Sequence, residues 1–195
     1  MNMNKKIMNI LFLSNMMAEK GVWTAIEAAR ILSEKGLNFN FHFVGKWSDI
    51  TEKAFYDAVE DYHLEKVCYA HGGKFGEDKE TFWDDADFFV FPTFYHNECF
   101  PLVLLEAMQH HLPCISTTEG GIPTIIDDGK TGFLVKKHDY LALAEKMEYY
   151  LLHPEECKKM GENGYQKFLQ EFTLHKFEER MVEILSLCLQ KDKDS

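Results

Sequence analysis

Apolar runs of strand length alternate with amphipathic helical stretches along the whole chain, and that alternation limits the folds open to it. Residues 9–14 (NILFLS) form the first run. Residues 21–35 (GVWTAIEAARILSEK) form the first helical stretch, with Val22, Ile26, Ala29 and Leu32 on one face and Gly36 as its stop. Further strands are expected at 39–44 (FNFHFV), 67–71 (VCYAH), 88–92 (FFVFP), 114–117 (CIST) and 132–135 (GFLV). Helices are expected over 50–64, 77–85, about 101–111 and 139–152, from Pro154 onward, and over about 173–190. Six apolar strands separated by helices predict a doubly wound, Rossmann-like α/β architecture: a mostly parallel six-stranded sheet with helices on both faces and further helices at the C-terminal end. In such sheets ligands collect at the carboxyl ends of the strands, so the informative loops are 15–20, 45–49, 71–76, 92–100 and 118–122.

The bulk properties exclude several function classes. A length of 195 residues fits one domain or one lobe of a larger enzyme. With 21 Lys+Arg against 32 Asp+Glu, the net charge of −11 has the wrong sign for general nucleic-acid binding, though it leaves room for a small basic pocket. Five scattered cysteines without CxxC spacing read as reduced thiols of a cytoplasmic protein, with Cys68 and Cys114 as small core residues. The nine histidines show no ligand spacing, and the adjacent His110 and His111 face different directions on a helix, so no metal site is expected. The opening MNMNKKIMNILFLS reads as a polar lead into a buried strand rather than a signal peptide. Residues 190–195 read as a frayed tail.

The stretch 91–106, FPTFYHNECFPLVLLE, is where chemistry concentrates. Pro101 suits the start of a helix, where its missing N–H costs nothing. Phe100 has no side-chain oxygen to cap that helix. The N–H groups of Leu102 and Val103 therefore lack a strong acceptor unless Asn97 or Glu98 folds back over them, and a bare helix start of this kind attracts phosphate. Glu106 lies on the same face as those amides, flanked by Leu105, Ala107 and Met108. Buried there, its carboxylate needs a partner, and a ribose offers two adjacent hydroxyls. On residue chemistry alone the alternative stands beside this: Glu98 as a helix cap, Glu106 as a surface residue or one half of an ion pair.

The run NECFPLVLLEAMQHHLPCISTTEGGIPTIIDDGKTGFLV resembles the signature of the glycosyltransferase group 1 family (family 4), retaining enzymes of the GT-B fold, which carry an E-x7-E motif followed by a GG-x-P turn. ILFLSNMMAEKG (10–21) is similar to the family's first strand, turn and Lys-Gly pair, and HPEECKKMGENGYQKFLQEFT to its later helices. The resemblance covers almost the whole chain but only the C-terminal, donor-binding domain of the family's two. It implies that residues 1–195 form a single nucleotide-sugar-binding domain whose N-terminal, acceptor-binding partner is absent.

Residue by residue, the resemblance implies that Glu106 binds the donor ribose and that Glu98 contacts the donor sugar or its phosphate near the reaction centre. It places the distal phosphate on the backbone of Cys99, Phe100, Leu102 and Val103, and gives Lys20 the departing diphosphate. The base falls around Ala70, His71 and Gly72. Asn15 stands where the family usually has Arg, and Cys99 where it usually has Gly. The donor is a UDP- or GDP-linked sugar, with no other cofactor; without a DxD motif, helix dipole and Lys20 do a metal's electrostatic work. The acceptor, a glycan or a lipid-linked molecule, belongs to the absent half. The chain alone is then expected to bind nucleotide weakly and transfer no sugar, whether it is an excised piece, a truncated product or half of a split enzyme. Its place is cytoplasmic, membrane-peripheral in a full-length context. The rival readings are a non-catalytic nucleotide-binding module and a GT-B nucleotide-sugar epimerase. An apolar face on the last helix (Phe177, Met181, Ile184, Leu185, Cys188) is expected to pack on the absent half or self-associate, or else to cover this domain's own sheet.

Overall fold

A computed structural model describes residues 7–191, with side chains to residue 187; the lead before Ile7, the tail beyond Lys191 and the side chain of Cys188 lie outside the described residues. The strands are β1 (Met8–Leu13), β2 (Phe39–Val44), β3 (Cys68–Ala70), β4 (Phe88–Phe91), β5 (Cys114–Thr117) and β6 (Gly132–Val135). The helices are α1 (Val22–Glu34), α2 (Glu52–Asp61), α3 (Glu77–Asp85), α4 (Leu102–Gln109), α5 (Ile122–Ile125), α6 (Tyr140–Leu152), α7 (Pro154–Glu171) and α8 (Leu174–Lys191).

The six strands form one sheet in the order β3-β2-β1-β4-β5-β6, and every neighbouring pair is parallel. The expectation of a mostly parallel sheet thus tightens to a wholly parallel one. β4 and β5 are buried at every residue, which is why they read as unbroken apolar runs: both faces are covered. Helix α1 buries Val22, Ile26, Ala29 and Leu32 as its periodicity predicts, together with Ala25 and Ala28, and packs against α6. Cys68 and Cys114 are core residues, and burial pushes both thiols well above the ordinary cysteine range.

Several boundaries differ from the sequence reading by a residue or more, and two of the differences have a clear local reason. α2 is shorter than 50–64: the Thr51 hydroxyl accepts the Ala54 N–H at 3.1 Å and caps its start, and His63, at φ 56°, turns the chain away after its end. α4 begins at Leu102 because Pro101 is extended, at ψ 108°.

Phe177, Ile184 and Leu185 of α8 are 60%, 55% and 56% exposed, so the idea that this helix covers the domain's own sheet is corrected: its apolar face is bare. No helix among the described residues is long and apolar enough to cross a membrane.

Strand order reverses between β1 and β4, the place where doubly wound sheets gather ligands, and the loops leaving the carboxyl ends of these two strands meet there.

Candidate functional site

The contact between these two loops is organised around Glu98. Beyond β1 the chain makes one 3-10 turn, Ala18–Lys20, and then Gly21 at φ 87°. A Cβ on Gly21 would lie 2.2 Å from the Pro92 carbonyl oxygen, so the absence of a side chain lets this turn rest on the loop after β4. The Phe94 N–H donates to the Glu19 carbonyl at 2.8 Å and fixes the contact. Lys20 Nζ is thereby held 2.5 Å from Glu98 Oε2, with the Thr93 hydroxyl 3.4 Å from the same oxygen and the Tyr95 ring centroid 4.4 Å from the ammonium. Both partners are mostly buried, at 15% and 11% side-chain exposure.

A second glycine close approach supports Glu98 from behind. Gly120 has φ 48°, and a Cβ there would fall 1.6 Å from the Glu98 carbonyl oxygen. The neighbouring Gly121 N–H donates to the Cys99 carbonyl at 2.7 Å. The GG-x-P turn, Gly120 to Pro123, therefore braces the Glu98–Cys99 backbone.

At the start of α4 no side chain caps the helix. Glu98 is turned to Lys20, and the Asn97 amide faces the His96 ring at 2.9 Å, so neither folds back over the Leu102 and Val103 amides. The reading of Glu98 as a cap is corrected accordingly. Cys99 is exposed and unbridged, and Phe100 packs at a tilt on Phe172 at 6.0 Å between centroids.

Glu106 follows one turn into α4, 38% exposed, and both of its oxygens accept from the Lys79 ammonium at 2.8 Å. Lys79, on α3, is the site residue that sequence reasoning missed. The only signal was a lone lysine in an otherwise acidic helix, EDKETFWDD.

Beside this pair lies a cleft of about 360 Å³, lined among others by Asn15, Lys46, Gly73, Lys74, Phe75 and Lys79. Asn15 thus reaches the cleft. His71 and Gly72 stand just behind its lining: His71 Nε2 is 3.0 Å from His42 Nδ1, its ring lies 4.7 Å from Phe82, and the Gly72 carbonyl accepts the Gly45 N–H at 2.9 Å. Burial lowers the pKa of both His42 and His71, which suits a pair sharing one hydrogen bond. A larger cavity, about 400 Å³, opens at the opposite, amino-terminal end of the central strands near Met8, Asp87 and His110, away from these loops. Among the described residues no group of three or more His, Cys, Asp or Glu side chains is arranged to hold a metal ion.

Known proteins resemble this chain in sequence or in fold. The amylovoran biosynthesis glycosyltransferase AmsK of Erwinia amylovora is 33% identical over 141 residues, 70% of this chain and 34% of its own length. Sucrose-phosphate synthase from Thermosynechococcus elongatus superposes with a TM-score of 0.82 at 22% identity, over 97% of this chain and 47% of that one. The C-terminal domain of the glycosyl transferase group 1 family protein LpcC from Francisella tularensis superposes with a TM-score of 0.77 at 24% identity, covering 86% of this chain and 87% of that one. The chain spans less than half the length of the curated relatives it matches. The family model for glycosyl transferases group 1 matches residues 2–167, and the chain belongs to that family.

Proposed function

We propose that this chain is the donor-nucleotide domain of a retaining glycosyltransferase, the C-terminal half of a GT-B enzyme that binds a UDP- or GDP-linked sugar. The observation that carries the reading is the Lys20–Glu98 pair held at the mouth of an uncapped helix start. A diphosphate entering there meets the Leu102 and Val103 amides and the positive end of the α4 dipole. As the bond from sugar C1 to the β-phosphate oxygen breaks, its electron pair leaves with the phosphate. A pre-placed ammonium at Lys20 and two fixed N–H groups stabilise that growing charge without having to reorganise. Glu98, beside Lys20, faces the sugar end, and Glu106 accepts from the ribose hydroxyls.

The relatives support the wider role. The names of AmsK and of the CapM glycosyltransferase of Staphylococcus aureus place those proteins in amylovoran and capsular polysaccharide biosynthesis. One solved neighbour, Alr3699/HepE of Anabaena, is a complex with UDP. By analogy the acceptor is a growing glycan or lipid-linked sugar, held by the remainder of the enzyme, and this chain alone binds nucleotide without transferring sugar. Calorimetric titration with UDP, GDP and their sugars, with Glu106→Ala as control, tests the reading. Equal affinity for both proteins would remove Glu106 from the site.

The neutral Asn15 in the cleft favours one second reading, a nucleotide-binding module without chemistry. A complete enzyme containing this domain that neither hydrolyses nor transfers from any donor would decide for it.

A further inference from the structure

The charge of this chain is unevenly placed. The whole molecule carries −11, yet Lys46 from the loop after β2, Lys74 from the loop after β3, and Lys79 from α3 converge on one cleft of about 360 Å³. Three ammonium groups gathered in one concavity raise the local potential and attract an anion. Among the described residues no carboxylate lies within ion-pair distance of Lys46 or Lys74; Lys79 alone of the three has one, Glu106. The cleft also carries a bare ring. Phe75 is 68% exposed, with the Lys46 ammonium 5.1 Å from its centroid. An exposed aromatic face next to cations suits a planar base joined to phosphates.

We propose that Lys79 is a specificity-determining residue of the donor site, one that discriminates nucleoside diphosphates from nucleosides. The inference rests on the donor-domain reading. In the free chain Lys79 neutralises Glu106. When a nucleoside diphosphate enters, the ribose hydroxyls take over hydrogen bonding to Glu106, and the released ammonium turns to the phosphates alongside Lys46 and Lys74. A nucleoside without phosphates must break the same ion pair and gains no cation contact in return, so Lys79 favours the charged ligand twice.

The test is a titration of the chain with uridine and with UDP, followed by NMR chemical-shift changes so that weak binding is measurable. Lys79→Gln is expected to weaken UDP about tenfold while uridine binding is unchanged or tighter, and Lys79→Arg should retain the preference for UDP. Lys46→Gln, which leaves Glu106 untouched, should weaken UDP alone. Equal changes for uridine and UDP in Lys79→Gln would overturn the inference, as would a wild-type affinity for UDP that the variant keeps in full. Failure of the wild type to bind any of uridine, UDP, guanosine and GDP, titrated in the same way, would instead sink the donor-domain reading, and this inference with it.

Discussion

The two carboxylates of the E-x7-E motif sit eight positions apart in sequence and are held in opposite ways. Glu98 is 11% exposed, paired with a lysine from another loop, and its carbonyl lies against Gly120, which admits no Cβ. Glu106 is 38% exposed on a regular helix, and a single ion pair to Lys79 holds it. One end of the site is positioned by the packing of main chain on main chain; the other by one reversible contact. Charge that must be in place before a bond breaks gains from the first kind of support, because preorganisation removes reorganisation from the reaction itself. A group that must release one partner and accept another gains from the second.

The sharpest way to break this comparison is at Lys20. In a complete enzyme containing this domain, Lys20→Met should lower the transfer rate about 10²–10³-fold with little change in nucleotide affinity, read from kcat against KM. An unchanged kcat would make the Lys20–Glu98 pair a structural feature only. Gly120→Ala should come next. The new methyl cannot coexist with the Glu98 carbonyl, so the loop must shift, and displacements near 1 Å cost roughly 10² in rate. Circular dichroism should show the sheet intact, and a fully active variant would deny that main-chain packing positions Glu98. At the other carboxylate the effect should be smaller and fall on binding: Glu106→Ala weakens UDP about tenfold by calorimetry, the scale of one or two lost charge-assisted hydrogen bonds. Smallest of all is a pH effect behind the cleft. Burial lowers the pKa of His42 and His71; Asp85 pulls His42 up and Lys74 pushes His71 down. The unfolded chain therefore binds these protons more tightly, so stability is complete above about pH 6.5 and falls as pH drops below it. Thermal unfolding at pH 8 and pH 5.5 should show that loss, and His42→Gln should reduce it.

The contrast also explains what could be read from sequence. β2, β5, β6 and α3 match their expected bounds because each is a short periodic run closed by Gly, Pro or an acidic cluster, signals carried within the segment. The motif drew attention to Glu98, Glu106 and Lys20 one at a time. Their partnerships were hidden: Lys20 meets Glu98 across 78 residues and Lys79 meets Glu106 across 27, contacts that only the strand order creates. Whether Glu106 was ligand-ready or ion-paired was likewise undecidable, since both readings ask for the same residue on the same helix face. The bare face of α8 belongs to the same class, because periodicity marks a helix as amphipathic without saying what lies opposite it.

Parallel pairing of β1 with β4 has one further consequence. Lys20 and Glu98 are carried by the segments that leave those two strands, so the proposed binding surface forms only when the middle of the sheet has closed, and is lost as soon as it opens. A nucleotide bridging both loops would act as a cross-brace over the seam between the halves of the domain. Its concentration would then raise the melting temperature of the entire sheet rather than quieten one loop.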